Sequence, residues 1–130
     1  EIVARARPVP VAIAVLPSEL QVSPQLRAQV LERVQLAESD LDLERTWRET
    51  RTHFEAENVL VIDLLPALTA AEREESTYAL RNSHWNERGN AVAARQLADS
   101  LAPMLRESMP SRAGSARNGL GHGAQRDGSR

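Results

Sequence analysis

A chain of 130 residues fits within one domain, and its 42% hydrophobic content supports a core. With only 3% aromatic residues, Leu, Val, Ile and Ala must fill that core. A net charge of −2 gives no pull toward nucleic acid or an anionic membrane surface, and the lack of cysteine excludes disulfides, thiolate nucleophiles and Cys-based metal sites. Every basic residue is arginine, which reads as GC-rich coding rather than guanidinium chemistry. No run of about 18 apolar residues exists, so no membrane span is expected in this segment.

In chain order, Glu1 to Arg7 lacks the apolar stretch and small-residue cleavage site of a signal peptide. It carries no initiating Met and reads as the continuation of something longer. Val9 to Leu16 is apolar, β-branched and bounded by Pro8 and Pro17. Such a short continuous run predicts a strand covered on both faces, with Pro10 marking an entry or edge position. Ser23-Pro24 predicts a helix start, with Ser as cap and Pro in the first turn. Leu26, Val30, Val34 and Ala37 then outline one apolar helix face. Asp40 is a candidate cap for a second helix, along which Leu43, Trp47 and Phe54 recur as core positions.

Val59 to Leu65 is the second strand, closed by Pro66. Two buried-type strands joined through helices predict a parallel pair with a right-handed crossover. Thr69-x-x-Glu72 has the pattern of a capping box opening a short helix. A polar loop follows. Gly89 then precedes a last helix on which Val92, Leu97, Leu101, Met104 and Leu105 share a broad face. Residues 111–130 hold five of the six glycines, four arginines and one acid. That composition predicts a disordered tail over 107–130, with His122 idle in it.

The loop segment Asn82-Ser83-His84-Trp85-Asn86-Glu87-Arg88-Gly89 carries the chemistry. His84 sits where a loop gives way to a helix, and a neutral imidazole suits general-base work near pH 7. Read alone, His84 is better taken as a loop histidine satisfied by backbone. Ser18 and Glu19 follow the first strand at its carboxyl end, where open α/β sheets bind ligands. A substrate-lining role and plain turn chemistry are both open for them. Trp85 either packs under the loop or shields the site. His53, His84 and His122 have no ligand-like spacing, so no metal is expected, and nothing calls for a cofactor.

The order of elements, with His84-Trp85-Asn86-x-x-Gly89 at this corner, resembles the C-terminal part of SGNH/GDSL-type hydrolases. Relatives of polysaccharide O-acetyltransferases carry a similar Asp-x-His-Trp-Asn-x-x-Gly block. Ala12 to Val22 and Val59 to Leu68 look like that family's last two strands with their following loops, so the resemblance covers roughly residues 9–106. It implies a flavodoxin-like three-layer α/β/α fold of parallel strands and covering helices, of which residues 1–106 form an incomplete C-terminal portion. Upstream residues would complete the sheet and supply the nucleophilic Ser, since the chain has no Gly-Asp-Ser.

By the same resemblance His84 is the catalytic base of a serine esterase or O-acetyltransferase acting on ester-bearing, O-acylated carbohydrate. Asn82 stands where the family has the orienting acid, with Glu87 or Asp63 as possible substitutes. Family habit implies an extracytoplasmic or periplasmic setting in a bacterium. The alternative reading is an inactive relative that binds a glycan or a protein.

Overall fold

A computed structural model describes residues 1–6, 8–80 and 82–108; the predicted tail beyond Ser108 and its His122 lie outside them. The apolar run at Val9–Leu16 forms strand β1 (Ala12–Val15), and Val59–Leu65 forms β2 (Leu60–Asp63). They pair in parallel, with Ala12 opposite Leu60 and Val15 opposite Asp63. Both expected strands and their parallel pairing are therefore present, as a two-stranded sheet. A preceding helix α1 covers Ile2–Ala6.

The crossover contains α2 (Glu19–Val22), α3 (Pro24–Val34), a 3₁₀ turn at Glu38–Asp40 and α4 (Arg45–Glu55). Ser23 caps α3 as expected, its Oγ accepting from the Leu26 N–H at 3.4 Å. The apolar face differs from the expected one. Leu31 is the buried residue, whereas Val34 is exposed, because α3 packs chiefly on the short α2. Asp40 does not cap α4. Its carboxylate accepts the Ala37 N–H at 2.9 Å and closes the 3₁₀ turn instead. Trp47 and Phe54 are only half-buried. The Arg51 guanidinium lies 5.9 Å from the Trp47 ring, a cation–π distance.

Helix α5 (Leu65–Glu72) begins at Leu65, with Pro66 in its first turn, not at Thr69. Pro fits a first helical turn because its missing N–H would have no intrahelical partner there. Asp63 Oδ1 accepts the Leu65 N–H at 2.9 Å, which turns the strand into the helix. Helix α6 (Glu87–Ser108) starts before Gly89 and runs two residues into the expected tail. Among the described residues no helix is long and apolar enough to cross a membrane.

The core is one cluster of Val22, Ile62, Leu64, Leu68, Tyr78 and Ala93, with Ala12, Ala14, Trp85, Val92, Leu97 and Leu101 packed against it. Strand alternation puts Ala12, Ala14 and Ile62 on a common face. Helices α2, α5 and α6 bury their apolar residues against that face. No α4 residue joins this cluster, although α4 packs on both strands.

Gly89 is buried in the first turn of α6. A Cβ there would overlap the Thr77 carbonyl oxygen and come within 3.0 Å of Trp85 Cβ. Replacing a helical Gly by Ala ordinarily gains about 1 kcal/mol. Overpacking costs about 1–3 kcal/mol, and here the clashing atom is backbone, so α6 itself must shift. Gly89→Ala is thus expected to destabilise by up to about 2 kcal/mol net, read as a lowered thermal midpoint. An unchanged or raised midpoint would show that α6 yields freely.

Candidate active site

Residues 77–80 and 82–86 lie side by side and present His84. The Asn86 N–H donates to the Thr77 carbonyl at 3.0 Å and the Ala79 N–H to the His84 carbonyl at 2.9 Å. Tyr78 and Trp85 form an antiparallel bridge between these bonds. A further turn closes the tip, where the Asn82 N–H donates to the Ala79 carbonyl at 3.0 Å.

Three attachments hold this loop to the body. Glu72 Oε2 accepts both the Thr77 N–H, at 2.5 Å, and the Thr77 hydroxyl, at 2.6 Å. This is the tertiary use of Glu72 that its apparent capping-box spacing concealed. The Tyr78 hydroxyl, buried, donates to the Pro17 carbonyl at 2.9 Å, across 61 residues of sequence. Asn86 caps α6, its Oδ1 accepting the Gly89 N–H at 2.9 Å. The Asn86 Nδ2 donates to the carbonyls of Ser76 at 2.7 Å and Tyr78 at 3.2 Å.

His84 is exposed and stands beside Leu16 and Pro17, immediately past the carboxyl end of β1. A cleft of about 290 Å³ lies there, lined by Leu16, Pro17, Ser83, His84, Trp85 and Asn90. Leu16 is 62% exposed and forms part of an apolar wall with Pro17 and the half-buried Trp85. Trp85 therefore both packs on the core and lines the cleft.

Asn82 Oδ1 faces His84 twice. It lies 3.2 Å from the His84 backbone N and 2.5 Å from ring Nδ1. The structure thus brings Asn82, His84 and Trp85 to one place. Ser18 and Glu19 are not among the cleft-lining residues. The Ser18 N–H donates to Gln21 Oε1 at 2.9 Å, which shapes the start of α2. Partial burial, and then the nearby Glu72 carboxylate, push the Glu19 carboxyl above its usual range.

The two possible substitute acids are also elsewhere: Asp63 accepts the Leu65 N–H where β2 turns into α5, and Glu87 lines a separate hollow with Glu75 and Arg88. His53 is exposed on α4 against Phe54. No group of three His, Asp or Glu side chains suited to a metal occurs among the described residues.

Sequence reasoning missed Tyr78 and the capping role of Asn86. The Asn86-x-x-Gly89 spacing signals such a cap, since Asn is a preferred cap and its oxygen reaches the third N–H. Tyr78 is the only tyrosine, and nothing local marks its distant partner. Burial raises its phenol above the ordinary tyrosine range, which keeps it a donor throughout the neutral range.

A family model described as the SGNH hydrolase-like domain of acetyltransferase AlgX matches residues 6–121 of the chain. No curated protein and no solved structure matches it.

Two outcomes follow from the geometry. Tyr78→Phe leaves the Pro17 carbonyl without its phenol donor, a loss of about 1–3 kcal/mol. Hydrogen exchange at the Ala79 and Asn86 amides should accelerate with it, and unchanged exchange would mean that the loop is held by its other attachments. The second concerns Glu19, whose raised carboxyl pKa means that its favourable contribution is complete below the unfolded value and is lost as pH rises through the folded one. Glu19→Gln should accordingly raise the melting temperature at pH 7 and lose that advantage below about pH 4. Parallel melting curves at both pH values decide it.

Proposed function

The chain belongs to the SGNH hydrolase-like domain family of acetyltransferase AlgX, and on that premise we propose that it supplies the general base for acyl-ester chemistry on an O-acylated carbohydrate. The observation that carries this reading is the place of His84. It lies past the carboxyl end of β1, exposed to a cleft, with ring Nδ1 on the Asn82 oxygen. A hydroxyl attacks an ester carbonyl poorly until a base takes its proton. His84 Nε2 accepts that proton as the bond to the carbonyl carbon forms, and returns it to the departing alkoxide as the ester bond breaks. The family resemblance implies a serine hydroxyl as nucleophile, and these 130 residues contain no Gly-Asp-Ser to supply it. Leu16, Pro17 and Trp85 offer an apolar wall to an acyl group or a sugar face.

The test is acetyl-ester release by the full natural protein. His84→Ala should lower turnover by about 10²–10⁴, the usual contribution of a general base. Equal rates in wild type and variant would remove His84 from the chemistry. Asn82→Asp should raise turnover, because a carboxylate stabilises the imidazolium that forms.

A second reading is a carbohydrate- or protein-binding domain without turnover. The uncharged Asn82 favours it. Its signature is binding of the acylated polymer that survives His84→Ala, with no ester cleavage in the wild type.

A further inference from the structure

We infer that Asn82 is a positioning residue that holds the His84 ring in its Nδ1–H form and so leaves Nε2 as the free base. The inference deepens the catalytic reading and rests on it only for its consequence, because it concerns the resting imidazole.

Donor counting carries the argument. A backbone N–H can only donate. The Asn82 side-chain atom 3.2 Å from the His84 N–H must therefore be the carbonyl oxygen. The same oxygen stands 2.5 Å from ring Nδ1. An amide oxygen can only accept, so Nδ1 carries a hydrogen. In a neutral ring the single N–H is then used, and the lone pair lies on Nε2. Rotating the amide would bring its NH2 against the His84 N–H, donor against donor. The Asn82 side chain is thus locked by the backbone of the residue that it orients.

An asparagine in this place ordinarily offers either end of its amide. When the NH2 faces Nδ1, the ring is driven into the tautomer that cannot act as base. In chymotrypsin-type triads that error accounts for a loss of about 10⁴ in turnover. Here an Asx turn, the side-chain oxygen on the N–H two residues ahead, removes the choice. Orientation and charge, which one carboxylate normally supplies together, are separated: Asn82 provides the first and not the second.

The experiment is long-range ¹H–¹⁵N correlation of histidine side chains in the full chain, at a pH where the imidazoles are neutral. His84 is assigned by loss of its signals in His84→Gln. The expected result is a protonated-type Nδ1 and an unprotonated-type Nε2, the reverse of a free imidazole in water. Asn82→Asp should preserve that pattern, and Asn82→Ala should abolish it. A wild-type His84 with its hydrogen on Nε2 would overturn the inference, as would an Asn82→Ala spectrum with the wild-type pattern.

Turnover adds an independent arm. Because only charge changes, Asn82→Asp should gain far less than the ~10⁴ attached to a tautomer error; a gain of that size would overturn the inference. If the spectra are as expected and the full natural protein cleaves no ester, the lock stands and the catalytic reading falls.

Discussion

The hydrogen bond from the buried Tyr78 hydroxyl to the Pro17 carbonyl joins the end of β1 to the loop that carries His84, across 61 residues of sequence. It helps to set the width of the cleft, because one wall is Leu16–Pro17 and the other is Ser83–Trp85. The rest of the loop's bonding is local. The Thr77–Asn86 and Ala79–His84 bonds shape the loop but do not aim it. A neutral hydrogen bond contributes only about 1 kcal/mol net. Burial makes its loss costlier, since the Pro17 carbonyl has little access to replacement water. The hydrophobic core depends on the same contact, as the Tyr78 ring is one of its members.

Polar groups around the site are satisfied mainly by three asparagines spaced four residues apart. Asn86 uses both ends of its amide, with oxygen to the Gly89 N–H and nitrogen to the Ser76 and Tyr78 carbonyls. The Asn90 amide nitrogen donates to the Asn86 carbonyl at 2.9 Å and to the Trp85 carbonyl at 3.3 Å. Asn82 works on His84 alone. Each amide is oriented by a backbone group that can play one role only, so the network has a single arrangement. Gly89 lets α6 start against the Thr77 carbonyl, and this close approach brings the Asn86 cap within reach of both chain segments.

The parts of the fold that depend on hydrophobic pattern were legible in the sequence. Val9–Leu16 and Val59–Leu65 announced both strands, and Ser23-Pro24 marked the start of α3. The parts that depend on short polar side chains were not. Thr69 and Glu72 have capping-box spacing, yet Glu72 serves Thr77 across a loop, and α5 starts earlier at Leu65. Asp40 looked like a helix cap and closes a 3₁₀ turn. One carboxylate spacing satisfies several local motifs equally, and tertiary contacts choose among them. At the site, His84, Asn82 and Trp85 could be placed together from one eight-residue segment. Leu16, Pro17 and Tyr78 could not, because their meeting depends on the parallel register of β1 and β2. Ser18 and Glu19 lay at the expected end of β1, but the start of α2 turns them away from the cleft lining.

On the proposed reading of His84 as a base, what a missing charge costs there depends on how wet the ring is. Two unit charges 4 Å apart interact by about 1 kcal/mol in bulk water and about 4 kcal/mol at an effective dielectric of 20. Both Asn82 and His84 are exposed in this chain. Water then solvates an imidazolium nearly as well as a carboxylate would, and asparagine forfeits little. The balance changes when substrate or further polypeptide covers the cleft, because excluded water can no longer support the charge. The penalty for Asn82 therefore grows with closure of the site rather than being a constant of the residue. An asparagine is tolerable where the ring stays wet through the proton transfer, and it becomes limiting where the cleft must dry.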